Sequence, residues 1–394
     1  MNKKYIVLTG RRNVGKSALI NALTGQETAI VSDTAGTTTD PVKKAYEIPG
    51  YAPVVFIDTA GIDDNGLLGE KRTAKTRKAI LQADIALLVF TGNCFGKEER
   101  QLISLFRQHT IPFLLIHNKS DQHPLDSRLK EELTKEYRTP VIAFSALQQK
   151  QPEEIIRAIQ TLLPPSGPAS LLDGLVHKND TVLLVTPIDS EAPAGRLILP
   201  QVQTLREVLD RHCIGITVQP EELPGFLQTS SVTPRLVITD SQVFRQVTET
   251  VPPHIPLTSF SILMARLKGD FQKFMEGTSR ISHLQDGDRV LILESCTHHV
   301  SCEDIGRVKI PALLEKQTGR KLDFDFVAGL DTIQRPVTNY ALVIQCGGCM
   351  ITSRQLQNRL CPAIEAGIPV SNYGMAIAYL QGIFERATAP FKRP

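Results

Sequence analysis

No stretch of this chain stays apolar for anything near the ~20 residues a membrane helix needs, so no spanning segment is expected. Charge of one sign is missing as well. The 44 Lys and Arg stand against 41 Asp and Glu, a formal net charge of +3, which creates no field to gather nucleic acid or an anionic membrane. There is no basic patch with interleaved aromatics and no recognisable RNA-binding module, nor any tandem repeat or low-complexity tract, which excludes repeat architectures. No export signal is expected either. Met1-Asn2-Lys3-Lys4 leads into an apolar stretch at Tyr5, but that stretch ends at Gly10-Arg11-Arg12-Asn13 and reads better as a buried strand running into a loop. A cytoplasmic protein with no nucleic-acid partner is therefore expected. Its seven cysteines should stay reduced rather than form a disulfide framework. Cys94 and Cys213 stand alone beside apolar segments and read as small buried hydrophobes.

What is present is a soluble balance, 42% hydrophobic and 22% charged over 394 residues, long enough for three domains. Strand-like runs at Tyr5 to Thr9, Val54 to Ile57, Ile85 to Phe90, Pro112 to Ile116 and Val141 to Phe144 alternate with helix-like segments, the pattern of a mainly parallel, helix-covered sheet. Leu163-Pro164-Pro165-Ser166-Gly167-Pro168 breaks it. The alternation restarts with Val182 to Val185, a helix around Val202 to Arg211, Ile214 to Val218, Leu236 to Ile238 and a helix near Ser241 to Thr248. After a second break at Val251-Pro252-Pro253, strands are expected at Val290 to Leu293 and Ala341 to Ile344. The expected fold class is α/β, a P-loop domain over residues 1–165 followed by two smaller α/β domains with mainly parallel sheets, 170–255 and 256–394.

Gly10-Arg11-Arg12-Asn13-Val14-Gly15-Lys16-Ser17 fits G-x-x-x-x-G-K-[ST] between a strand and a helix. In that setting the backbone N–H groups from Gly10 through Asn13, Val14 and Gly15 to Ala18 face phosphates, Lys16 neutralises the β/γ oxygens and the Ser17 hydroxyl ligates magnesium. Asp58-Thr59-Ala60-Gly61 closes a strand, where Asp58 holds the magnesium shell and the Gly61 N–H meets the γ-phosphate. Asn118-Lys119-Ser120-Asp121 follows another strand. An aspartate there accepts two hydrogen bonds from guanine N1 and N2, which excludes adenine, and Ser145-Ala146-Leu147 supplies a backbone donor to guanine O6. The polar segment Asp33 to Pro41 suits a switch that orders around γ-phosphate and magnesium, with Thr38 the expected ligand and Thr37 its neighbour in the site.

Over residues 1 to about 165 these motifs resemble the bacterial translation-factor-related GTPases, especially the branch typified by the tRNA-modifying GTPase, with Gly36-Thr37-Thr38 ahead of Asp40. The resemblance implies that GTP is hydrolysed to GDP with Lys16, Thr38, Asp58 and Gly61 at the centre, and that Asn13 binds potassium. Ile62 stands where Ras-like enzymes carry a water-orienting glutamine, so intrinsic hydrolysis is expected to be slow.

The other five cysteines fall in the last third. Cys296-Thr297-His298-His299 and Cys346-Gly347-Gly348-Cys349 each follow an expected strand, and the carboxyl edge of an open α/β sheet is where ligands collect. Gly347 and Gly348 let both thiolates face one centre ahead of a helix starting near Ser353. The chemistry admits either a Cys₃His zinc or an iron-sulfur cluster.

A GTPase domain joined to C-x-H and C-x-x-C resembles, over the whole chain, the HydF family, scaffold maturases of [FeFe]-hydrogenase. The contexts Glu303-Asp304-Ile305-Gly306-Arg307, Lys309-Ile310-Pro311 and Met350 strengthen the likeness. The resemblance implies a [4Fe-4S] cluster on Cys296, Cys346 and Cys349, with His298, His299 or Glu303 at a weakly held fourth iron. It also implies a transient diiron precursor as cargo, two radical-SAM maturases and the apo-hydrogenase as partners, and a homodimer formed through the middle domain. Gln345 stands where the family usually has histidine, which removes that ligand. Cys302 and Cys361 read as bystanders. The alternative is a GTPase of tRNA modification or ribosome assembly with a structural zinc.

Overall fold

The computed structural model describes residues 4–25, 41–48, 51, 53–61, 67–148, 152–163, 170–188, 195, 197–295 and 304–392. The chain divides into two compact units, Met1–Pro168 and Ala169–Pro394.

In the first unit β1 (Lys4–Thr9), β2 (Val42–Glu47), β3 (Pro53–Asp58), β4 (Ile85–Phe90), β5 (Phe113–His117) and β6 (Val141–Ala143) form a six-stranded sheet in the order β2-β3-β1-β4-β5-β6. All neighbours are parallel except β2, which runs antiparallel on β3. Strand periodicity divides the core in two. Ile6, Leu8, Leu87 and Val89 pack on one face, Val7, Ala86 and Leu88 on the other. The central strand β4, Ile-Ala-Leu-Leu-Val-Phe, is buried throughout, as a parallel strand covered on both faces must be. By contrast β2 is largely exposed and carries Lys43 and Lys44, a polar edge that resists pairing with another chain. That is why no apolar run announced it.

The chain leaves β1 toward one side of the sheet and reaches β4 on the other. A crevice therefore opens at the carboxyl end of β1, the position of Gly10. Cys94 lies exposed in the loop after β4, not buried as expected, because β4 ends before it. Cys213 is buried as expected.

The second unit holds two four-stranded, all-parallel sheets. The strands β7 (Thr181–Val185), β8 (Ile214–Val218), β9 (Leu236–Thr239) and β10 (Leu257–Ser259) order as β10-β9-β7-β8. The strands β11 (Arg289–Leu293), β12 (Asp323–Val327), β13 (Leu342–Gln345) and β14 (Val370–Asn372) order as β12-β11-β13-β14. The middle sheet runs past residue 255, since β10 lies beyond the Pro252-Pro253 break and pairs with β9.

The helix Phe260–Lys268, capped by the Ser259 hydroxyl on the Ile262 N–H at 3.3 Å, is buried nearly all round. Its Ile262 and Ala265 join a core shared by Leu183 and Val237 of the middle sheet and Leu291 and Val343 of the last sheet. Phe260, Leu263 and Met264 fill a second cluster with Val182 and Ile238. This packing fixes where the helix ends, at Lys268. Among the described residues no helix is long and apolar enough to cross a membrane.

Candidate functional site

The loop from Gly10 to Gly15 joins β1 to the helix Lys16–Thr24. The Lys16 side chain is 7% exposed, and its ammonium donates to the carbonyls of Gly10 at 3.2 Å and Arg11 at 2.7 Å, which holds it inside the loop where a phosphate would sit. The Ser17 hydroxyl donates to Asp58 Oδ2. Asp58 Oδ1 is buried and has no hydrogen-bond partner. Burial pushes the Asp58 carboxyl above its usual range, opposed by the Ser17 hydrogen bond and the Lys16 charge. An orphaned carboxylate oxygen beside a hydroxyl is a donor set that fits a hydrated magnesium ion, with Ser17 as ligand and Asp58 holding its shell. At Gly61 the chain passes so close to Arg12 that a Cβ would fall 2.6 Å from its backbone nitrogen and 2.9 Å from its Cα, an approach open to glycine alone.

Asn118, 1% exposed, ties three loops together. Its Nδ2 donates to the Val14 carbonyl at 2.9 Å, and its Oδ1 accepts from the Ala146 N–H at 3.3 Å. The residue expected to touch nucleotide is thus a brace between the phosphate loop and the loop after β6. Lys119 adopts φ +58°, Ser120 N–H donates to the Phe144 carbonyl at 3.1 Å, and Asp121 stands exposed beyond them. Buried Ser145 accepts the Gln148 N–H at 3.2 Å. Asn13 is exposed with φ +58°. Thr37, Thr38 and Ile62 lie outside the described residues.

Two residues of this unit were not expected. Arg11 grips Glu99, 1% exposed, through Nε to Oε1 at 2.8 Å and Nη2 to Oε2 at 2.9 Å, which anchors the phosphate loop to the helix Lys97–Gln108. His117 is fully buried, edge-on to Phe90. Its Nε2 accepts from the Asn93 N–H at 3.4 Å, and Nδ1 has no partner. Burial, then the charge of His123, holds its pKa below the ordinary histidine value.

Because that folded pKa is depressed, acidification protonates the unfolded chain before the folded one. Stability should therefore be present above the ordinary value and be lost as pH falls below it. His117→Phe should flatten this acid loss of the first unit's melting temperature between pH 7 and pH 5. An unchanged slope would assign the acid sensitivity elsewhere.

In the second unit, the chain crosses from β11 to β12 on one side and later returns to β13 on the other, so the switch point lies between the carboxyl ends of β11 and β13. Cys346 and Cys349 follow β13, just ahead of the helix Ser353–Glu365 and its Thr352 cap. The Cys346 N–H donates to the Leu293 carbonyl at 2.9 Å. The Ser295 N–H points at Cys346 Sγ at 3.1 Å. Cys296, His298, His299, Cys302 and Glu303 lie outside the described residues, but Ser295, the neighbour of Cys296 in the chain, touches Cys346 directly.

Gln345 is fully buried, and its Nε2 donates to Ser295 Oγ at 2.9 Å while Oε1 is unpaired. Burial, then Cys346, pushes the Cys349 thiol up, with the Lys268 charge opposing. Thiols at a sheet edge, with backbone N–H groups aimed at sulfur, fit a thiolate-ligated centre. Among the described residues alone, no three His, Cys, Asp or Glu gather to hold a metal. Cys361 is exposed, its thiol 3.1 Å from Glu365 Oε1, away from this turn.

Around the thiols stand two groups the sequence did not mark, Glu294 and Arg359. Glu294 (3% exposed) pairs with Arg307 at 2.8 Å, and Arg359 donates to the carbonyls of Glu294 at 2.6 Å and Val327 at 2.7 Å, holding the ends of β11 and β12 together. Arg307 ends the Glu303 to Arg307 context that the sequence did mark, but Glu294 and Arg359 are lone charged residues in no motif, so nothing in the linear pattern could have singled them out.

Comparison with known proteins places these features. A model described as the hydrogen maturase F dimerization domain matches residues 171–269. One described as the hydrogen maturase F tetramerization domain matches 272–390, and one described as a 50S ribosome-binding GTPase matches 5–119. The chain is similar to the tRNA modification GTPase MnmE of Nitrosomonas europaea, 38% identical over 163 residues, covering 41% of this chain and 34% of that protein. It is also similar to GTPase Der of Wolinella succinogenes, 42% identical over 135 residues, covering 33% and 28%. The chain spans about a third of the length of these two relatives, 34% and 28%. A solved structure of Aquifex aeolicus Era aligns with TM-score 0.39 at 21% identity, covering 56% of this chain and 93% of that one.

Proposed function

The chain belongs to the hydrogen maturase F (HydF) family, and on that premise we propose that it is a GTP-hydrolysing scaffold that holds a [4Fe-4S] cluster and carries a diiron precursor to the apo-[FeFe]-hydrogenase. The observation that carries this reading is the C-x-x-C turn at the switch point of the last sheet, with Ser295, the residue before Cys296 in the chain, donating its N–H to Cys346 Sγ. Cys296, Cys346 and Cys349 would hold the cluster, and His298 or Glu303 its fourth, exchangeable iron. An iron not sealed by thiolate leaves a place where a second metal unit can attach, which a carrier needs. Two radical-SAM maturases would load that cargo.

In the first unit Lys16 and the loop N–H groups bind the phosphates, Ser17 and Thr38 ligate magnesium beside Asp58, Gly61 meets the γ-phosphate, and Asp121 and Ala146 read guanine. Magnesium supplies charge neutralisation between the β- and γ-phosphates. Residues 1–165 would be the nucleotide domain. The remaining boundary, expected at 255/256, would lie nearer 270; the pairing of β10 with β9 and the parting of the two family models between 269 and 272 support that reading.

A homodimer through the middle domain is supported by β8, a sheet edge whose Ile214 is 56% exposed beside Leu209 at 58% and Val202 at 46%. The last domain, by its family description, would extend the assembly. The cytoplasm is the proposed site of action.

The test is anaerobic reconstitution with iron and sulfide. The proposal expects a brown protein with close to four irons per chain and a paramagnetic signal on reduction. A colourless protein with stoichiometric zinc would replace it with the tRNA- or ribosome-related reading. Asn13 at the potassium position carries a separate expectation, that GTP turnover is several-fold faster in potassium chloride than in sodium chloride. Equal rates remove potassium from the site.

A further inference from the structure

A buried lysine lies beneath the C-x-x-C turn. Lys268, the last residue of the helix Phe260–Lys268, is 2% exposed. Its ammonium donates to the carbonyls of Gly348 at 2.6 Å, Ile351 at 2.8 Å and Cys349 at 3.4 Å. Those three carbonyls match the three donors of an ammonium, so its hydrogen bonds are satisfied. Its charge is not, since among the described residues no carboxylate pairs with it, and lysine is almost never fully buried without a counter-charge. Burial holds the ammonium below the ordinary lysine range, opposed by the sulfurs of Cys349 and Cys346. The turn is shaped to this contact: Gly348 sits at φ +68°, and a Cβ there would fall 2.7 Å from Leu356 Cδ1 and 3.8 Å from Lys268 Cδ.

We propose that Lys268 is a positioning residue for the cluster, pinning the C-x-x-C turn by its carbonyl contacts and setting the cluster's reduction potential by its buried positive charge. The inference rests on the cluster reading above. A cubane held by three thiolates carries net negative charge that grows by one on reduction, so a fixed cation in a low-dielectric pocket favours the reduced state. Helix packing decides this placement, because Ile262 and Ala265 on one side and Leu263 and Met264 on the other leave the helix end only one position.

The experiment compares wild type, Lys268→Gln and Lys268→Met as full-length chains. The apoproteins are checked for cooperative melting, then reconstituted anaerobically and titrated redox-potentiometrically with the paramagnetic signal as readout. Glutamine keeps a donor to the carbonyls and removes the charge, so Lys268→Gln should keep most of its iron. At a fixed ambient potential its reduced-to-oxidised ratio should fall about tenfold, which is about 59 mV for a one-electron couple. Lys268→Met, without the donor, should lose iron as well, and Lys268→Arg should hold the ratio near wild type.

A folded Lys268→Gln chain with the wild-type ratio overturns the inference. So does failure of both neutral apoproteins to fold, which would make the lysine a packing residue. If wild type itself takes up no cluster, it is the scaffold reading that fails.

Discussion

Asp121→Asn should abandon GTP for xanthosine triphosphate, with GDP affinity falling about 100- to 1,000-fold, the roughly 3–4 kcal/mol expected for two hydrogen bonds to a charged acceptor. Guanine presents two donors, N1–H and the N2 amino group, to one carboxylate. An asparagine offers a single acceptor with two donors, so one guanine donor meets an N–H instead of an oxygen. Xanthine carries a carbonyl at C2 and accepts from that amide. The swap should leave the site standing, because Asp121 is exposed while Asn118, three residues earlier, does the bracing. Binding titrations with GDP and XDP check it. An equal loss for both nucleotides would place Asp121 outside the base-reading position.

The second large effect belongs to the other unit. Cys346→Ser should lower reconstituted iron to less than about a tenth of wild type while GTP turnover per chain stays unchanged. A serine hydroxyl does not ionise near neutral pH, so the proposed cluster site would lose one of its three anionic sulfur ligands. Fold is not the cause, since a hydroxyl can still accept the Ser295 N–H that meets Cys346 Sγ at 3.1 Å. Cys94→Ser, an exposed position in the first unit, is the control and should change neither quantity. Wild-type iron in Cys346→Ser would remove the C-x-x-C turn from the metal site, and a loss of turnover would mean that the substitution damaged more than the cluster.

The long buried strands were legible because parallel strands covered on both faces must be apolar without interruption. The residues Ile85 to Phe90 and Val290 to Leu293 are such runs. The strands that went unseen were those the same rule does not reach. The edge strands β2 and β12 are polar at their exposed positions, and β10 and β14 are three residues each, too short for any period to register. The Pro252-Pro253 break looked like a domain boundary because proline ends local structure. Sheet pairing is a long-range property, however, and β10 joined the sheet before it.

The phosphate loop, Asp58, Asp121 and the two cysteine motifs were determined by the sequence alone. Each is a local spacing whose chemistry depends on a few consecutive residues meeting one ligand. Tertiary structure alone decided that Asn118 braces three loops, that Arg11 anchors to Glu99 and that Lys268 lies under the thiols, contacts between residues 104, 88 and 80 positions apart. Those partners share no motif. They meet only because the sheets and the helix Phe260–Lys268 pack in one way, and the electrostatics of both sites follow from that packing.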